Sequence, residues 1–374
     1  MVVPQLRATA WGTTGGRAFG ENGGMAQRAQ RAHLAGDELE VFARGLPKAE
    51  VHVHLEGCIP PRVAAEAAKR HGATSPVTLE DGHPKIETLR ELLDYLDWSC
   101  GLVDRAEDLA EIGRSTSQRL AASGALYGDV IVNPTHWPHW RERRGAMVDA
   151  LAAGFAAGER EGGARIGLCV SLKRQQSERD ALAVVSWLIE ERPERVVALS
   201  IDGDESAGSH SGRFREAFGL ARRAGLHRCA HAGESSGPDG VREAIELLGA
   251  ERIDHGVRVV EDPALVRELA ERRVPLDVCP TSNVVLGVVP SFVSHPVDRL
   301  RQAGVRVSLN TDDPELYGID LAGEYVRAAA TFGWGVEDLG ALARTSIESS
   351  FADEPRRQAM LESLDGYLEG WQAG

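Results

Sequence analysis

From about residue 33 onward, apolar positions follow two alternating rhythms. Short runs dense in Val, Ile, Leu and Ala give way to longer stretches whose apolar residues recur every three to four positions. The first pattern fits a strand buried on both faces, and the second an amphipathic helix laid against it. The strand-like runs are eight: Glu50–His54, Leu126–Asn133, Ile166–Leu172, Val196–Ile201, Arg228–His231, Arg252–His255, Pro275–Cys279 and Val305–Asn310. Between them, Val148–Glu161, Asp180–Glu191, Gly212–Ala224, Asp239–Leu248, Asp262–Arg272 and Pro296–Ala303 carry the helical period. Such alternation predicts an α/β fold with a parallel sheet, and eight repeats predict closure into a (β/α)8 TIM barrel.

Two stretches do not fit a plain repeat. Pro60 to Leu120 predicts a helical insertion after strand 1, with Thr88–Leu102 as an amphipathic lid, and the chain from Asp320 onward predicts C-terminal helices punctuated by Gly335 and Pro355. Residues 1–35 are Gly-rich without periodicity and read as a flexible extension, which leaves 36–374 as a single barrel domain.

Composition narrows the function. The 374 residues carry 42 Lys plus Arg against 56 Asp plus Glu, a formal charge of −14. That charge repels a phosphate backbone, so neither nucleic acid nor an anionic membrane is an expected partner, and a small neutral or cationic ligand is. Five cysteines, Cys58, Cys100, Cys169, Cys229 and Cys279, are scattered singly, which predicts a reducing cytoplasmic setting rather than a disulfide scaffold or thiolate zinc site. No apolar run approaches the roughly 18 residues of a membrane span. Nothing in the pattern fixes an oligomeric state.

Four candidate sites end predicted strands. His52 and His54, two apart on a strand, project to one face and could share a metal ion, though an H-x-H alone also arises from two unrelated histidines. His231-Ala232-Gly233-Glu234, Asp254-His255-Gly256 and Asn310-Thr311-Asp312-Asp313-Pro314 follow at later strand ends, where a carboxylate could equally cap the next helix. Their shared position is the argument: barrel enzymes build active sites at the carboxyl ends of their strands, and the amino ends carry no comparable groups.

These residues carry a resemblance. LPKAEVHVHLEG (46–57), HRCAHAGE (227–234), RIDHG (252–256), VCPTSN (278–283) and SLNTDDP (308–314) are similar, in order, to the adenosine deaminase family of the metal-dependent amidohydrolase superfamily, over residues 46 to 350. The resemblance implies one Zn²⁺ held by His52, His54, His231 and Asp312. It implies a hydrolase that removes the amino group of a 6-aminopurine, with Glu234 protonating ring N1 and His255 orienting the attacking water and assisting its deprotonation. Asp313 would bond N7, the Gly203 N–H would meet N3, and Glu56 would face the ribose end, with Leu92, Leu93 and Leu96 as an apolar wall. Ser282 and Asn283 match a turn of the family and are expected to act structurally.

Departures bear on the substrate. Adenosine deaminases usually have Asp at the position of Glu56. The His-Leu-Glu-Gly form and Asp254 look like the adenine and aminodeoxyfutalosine deaminase branches, whereas CPTSN and NTDDP look like the nucleoside enzymes. Ile131 stands where the family commonly has Arg, and loop 203–212 is short. The motifs together favour adenosine or 2′-deoxyadenosine, converted to the inosine product and ammonia within purine metabolism; adenine and aminodeoxyfutalosine are the alternatives, and a catalytically inactive purine-binding barrel the alternative of another class. A binuclear amidohydrolase would need a bridging lysine near the fourth strand, where Lys173 is a poor candidate.

Overall fold

The eight apolar runs form strands in the computed structural model, which describes residue 34 and residues 36–80, 82–86, 88–205 and 211–372. They are β1 (Lys48–His54), β2 (Ala125–Val132), β3 (Arg165–Lys173), β4 (Val196–Asp202), β5 (His227–Ala232), β6 (Arg252–His255), β7 (Leu276–Val278) and β8 (Val307–Leu309). Each pairs in parallel with its sequence neighbour, in the order β1 to β8. The ring closes just beyond β8. His54 N donates to Asp312 O at 2.8 Å, Asp312 N donates to His52 O at 3.2 Å, and Asn310 Oδ1 accepts from Val51 N at 2.8 Å and His52 N at 3.1 Å.

Helices cover the outside. α1 (Asp37–Gly45) precedes β1, and the insertion between β1 and β2 holds α2 (Pro61–His71), a short hairpin of Leu79–Glu80 with His83–Pro84, α3 (Leu89–Leu102) and α4 (Ala106–Ala122). Thr88 is the N-cap of α3, accepting from Glu91 N at 3.2 Å, so the predicted helix begins one residue later. The helix after β4 starts at Arg215 instead of Gly212, because Ser211–Phe214 form a 3-10 turn. The helix after β5 runs from Gly237 to Glu243 and continues over Ala244–Leu248 with π-type turns that periodicity does not show.

The tail forms three helices, Leu321–Phe332, Val336–Ser349 and Glu354–Gln372. The second of them underpins β1, with Ser346 Oγ accepting from Ala49 N at 3.0 Å. Asp320 caps the first, and Pro355 sits in the opening turn of the last, where a missing N–H does no harm. The extension read over residues 1–35 lies outside the described residues, Leu34 aside, and so do residues 206–210 of loop 203–212.

The barrel interior is polar as well as packed. Ile131, Cys169, Ala198 and Cys229 share an apolar cluster with Phe351. Ile131 is therefore interior packing. The wholly buried Arg252 spans the interior: Nη1 meets Asp129 Oδ2 at 2.5 Å and Ser349 O at 3.1 Å, Nη2 donates to Val51 O at 2.7 Å, and Nε lies 2.9 Å from Asp277 Oδ2.

Candidate metal and active site

The site grows from strand alternation. His52 and His54 point the same way from β1, His231 comes from β5, and Asp312 follows β8; their ligand atoms all lie within 4.8 Å of one another. His52 Nε2 is 3.4 Å and His54 Nε2 3.3 Å from Asp312 Oδ1, while the Nε2 atoms of His54 and His231 approach to 2.9 Å. The backs of the rings are held. His52 Nδ1 donates to Asp277 O at 3.0 Å, and His231 Nδ1 lies 3.3 Å from Asp254 Oδ2. Asp312 Oδ2 accepts from Ser282 Oγ at 2.7 Å.

This arrangement fits a divalent cation. With its proton on Nδ1, His52 turns a lone pair at Nε2 into the cluster, where that buried atom has no hydrogen-bond partner. Nitrogen donors with one carboxylate are the ligand chemistry of zinc. A second set, His52, His255, Cys279 and Asp312, is equally close. It fits less well, because Cys279 Sγ lies 3.4 Å from the His52 nitrogen already committed to Asp277, and burial pushes the thiol up, away from the thiolate a metal needs. Lys48, the buried lysine, donates to Ala43 O and Leu46 O at the opposite end of β1.

Two of the key residues hold left-handed backbone, with φ of 68° at His255 and 66° at Asp312. Such conformations cost about 1–3 kcal/mol for residues with a Cβ and gather where function requires them. Beside the cluster, Glu234 Oε1 lies 3.6 Å from His255 Nε2, and the rings of His255 and His52 are 4.5 Å apart. Burial, then the charges of Asp312 and Glu205, pushes the Glu234 carboxyl up to about 8. Burial, then Asp312 and Glu56, holds Asp313 well above the usual carboxylate range, and its Oδ1 has no partner.

Gly57 makes room for that carboxyl: a Cβ there would fall 2.2 Å from Asp313 Oδ1. Glu56 is buried, with Oε1 accepting from Asn133 N at 2.9 Å and Trp137 Nε1 at 2.7 Å and Oε2 without a partner. Gly203 follows β4 at φ 93°, exposed, next to Gln175. In α3, Leu92 and Leu96 are buried in the core, whereas Leu93 is 46% exposed, so the three leucines expected as an apolar wall do not form one buried face. Consecutive helical residues point about 100° apart, which sets Leu93 off from its buried neighbour Leu92.

Sequence reasoning missed Glu205. Its Oε2 accepts from the backbone N–H groups of Glu234, Ser235 and Ser236 at 3.2, 3.2 and 2.9 Å, fixing the turn that presents Glu234. It stands beside Asp202 and Gly203, but its partners lie 29 to 31 positions downstream. Ser282 and Asn283 do more than build a turn, since Ser282 steadies Asp312 and Asn283 donates to Glu234 Oε1 at 3.1 Å.

A parallel barrel with a cluster of three imidazoles and an aspartate able to take a cation at its strand ends, flanked by Glu234 and His255, defines a metal-dependent amidohydrolase. The model of the adenosine deaminase family matches residues 47–367, and the chain belongs to that family. It is 35% identical to an adenine deaminase of Sinorhizobium medicae over 319 residues, 85% of this chain and 98% of that protein. With an aminodeoxyfutalosine deaminase of Streptomyces coelicolor it shares 34% over 341 residues, 90% of this chain and 88% of that one. Among solved structures, adenine deaminase from Arthrobacter aurescens superposes with a TM-score of 0.79 at 29% identity, covering 87% of this chain and 99% of that one. A zinc-bound amidohydrolase from Burkholderia ambifaria superposes with 0.82 at 26%, covering 92% and 98%. The chain is accordingly a hydrolase acting on C–N bonds, of the aminopurine deaminase kind.

Proposed function

We propose that the chain removes the 6-amino group of an aminopurine with one Zn²⁺ per chain, and that adenine stands ahead of adenosine, 2′-deoxyadenosine and aminodeoxyfutalosine. The order rests on Glu56 and reverses the one the motifs favour. One oxygen of this buried carboxyl is taken by Asn133 and the wholly buried Trp137, so only Oε2 is left for a substrate. A recessed group with one free oxygen suits the small edge of a free base better than a ribose 5′-hydroxyl. The adenine deaminase relatives support the same order.

His52, His54, His231 and Asp312 would hold the ion, which when bound brings the pKa of water from about 15.7 toward about 7 and makes attack on an aromatic carbon feasible at neutral pH. Glu234, protonated near neutrality, gives its proton to N1 as the oxygen adds to C6. The two protons of the consumed water end on N1 and on the departing ammonia. His255 orients the attacking oxygen. Asp313, kept protonated by burial, donates to N7. The Gly203 N–H meets N3, and Leu92 and Leu96 exclude water on the side of the lid.

The five cysteines are free and buried, which supports a reducing cytoplasmic setting. Among the described residues no helix is long and apolar enough to cross a membrane. The test is ammonia release by zinc-loaded protein from adenine, adenosine, 2′-deoxyadenosine and aminodeoxyfutalosine. The highest kcat/KM on adenine is expected. No release from any of them removes the deaminase reading, and a preference for adenosine removes the role given to Glu56.

A further inference from the structure

Behind the reacting groups runs a chain of hydrogen bonds whose directions can be read from one end. A backbone N–H can only donate, and Val297 N donates to His295 Nδ1 at 3.1 Å. That nitrogen must carry a lone pair. Burial holds His295 down to about 3, so the ring is neutral and its proton is on Nε2. His295 Nε2 lies 3.2 Å from Asn283 Oδ1, which accepts. The amide therefore turns its NH₂ the other way, with Nδ2 3.1 Å from Glu234 Oε1 and 3.3 Å from His255 Nδ1. Asn283 is 0%, His295 3% and His255 2% exposed, and only Glu234, at the end of the chain of bonds, is half-buried.

We infer that His295 and Asn283 are positioning residues which set the Nε2–H tautomer of His255 and the orientation of Glu234. The inference rests on the roles proposed above for those two groups. With Nδ1 occupied as an acceptor, His255 presents an N–H toward the reaction space and holds the attacking oxygen by donation. One amide thereby aligns both the proton donor to N1 and the ring that orients the attacking oxygen, through bonds whose polarity is dictated by a backbone N–H some 14 positions away in sequence. A turn-building role for Asn283 requires only its own backbone bonds, to Cys279 O and from Val289 N, and none of this wiring.

The direct test is the ¹⁵N spectrum of protein labelled at histidine, with the His255 signals assigned by their loss in His255→Asn. The expected result is Nδ1 unprotonated and Nε2 protonated. In Asn283→Asp, whose carboxylate cannot donate, the tautomer should reverse to Nδ1–H. In parallel, Asn283→Asp and His295→Leu should lower kcat on the best aminopurine at least tenfold with KM changed less than threefold. His295→Gln, which keeps a donor near the Nε2 position, should stay within threefold of the parent. An Nδ1–H signal for His255 in the unaltered protein overturns the inference, as does an unchanged kcat in both disruptive variants. Protein inactive on every aminopurine would remove the deaminase reading alone, because the spectrum reports the tautomer without turnover.

Discussion

Two buried polar clusters share the barrel interior and are built on opposite terms. Around Arg252 a cation meets the carboxylates of Asp129 and Asp277 and the carbonyls of Val51 and Ser349, so opposite charges close on each other within the chain. At the strand ends three imidazoles and several carboxyls crowd together with His52 Nε2, Glu56 Oε2 and Asp313 Oδ1 left without partners. Burying polar groups unpaired costs free energy in either place. Around Arg252 the pairing of opposite charges offsets most of that cost, although Asp129 Oδ1 has no hydrogen-bond partner; at the strand ends the unpartnered atoms surround a space that a cation would complete.

Substitutions should separate the two. Glu234→Gln should keep metal and fold but lose about 10²–10⁴-fold in kcat, since an amide cannot deliver the proton; metal content and turnover measured on one sample check it. Arg252→Met should leave two carboxylates uncompensated and destabilise by about 3–5 kcal/mol in denaturant titration, far more than Glu234→Gln does. Comparable losses of stability in both variants would erase the distinction.

A smaller effect concerns pH. The folded value of Glu234, about 8, lies above the ordinary carboxylate value of 4.5. Its contribution to stability is full below pH about 4.5 and is lost as pH rises through about 8. Metal-free parent protein should therefore fall in melting temperature relative to Glu234→Gln between those limits. Smallest of all, Leu93→Ser should shift stability by less than about 0.5 kcal/mol, whereas Leu96→Ala should cost about 2–5 kcal/mol.

What the sequence made legible follows from periodicity. The strands and their ends could be read because alternation fixes which side chains share a face, and strand-end position pointed to one rim; the set His52, His54, His231 and Asp312 was implied by the family resemblance, and the structure brings those four together. Arg252–His255 was read to the residue. Partnerships across the barrel were hidden. Glu56 meets Trp137 across 81 positions, Glu205 reaches the 234–236 turn, and Asn283 meets Glu234 across 49. No local spacing encodes such contacts, since each depends on how neighbouring strand-end loops lean together. The split among the leucines of α3 was hidden for a related reason: apolarity names candidates for a wall, and only the helix phase says which of them is buried.

The close seat of Gly57 against Asp313 has a practical outcome for redesign. Any side chain at that position must evict the neighbouring carboxyl, so a randomised library spanning this loop wastes every variant altered there. Attempts to alter the substrate preference should hold that glycine fixed and vary the tryptophan that braces the adjoining glutamate.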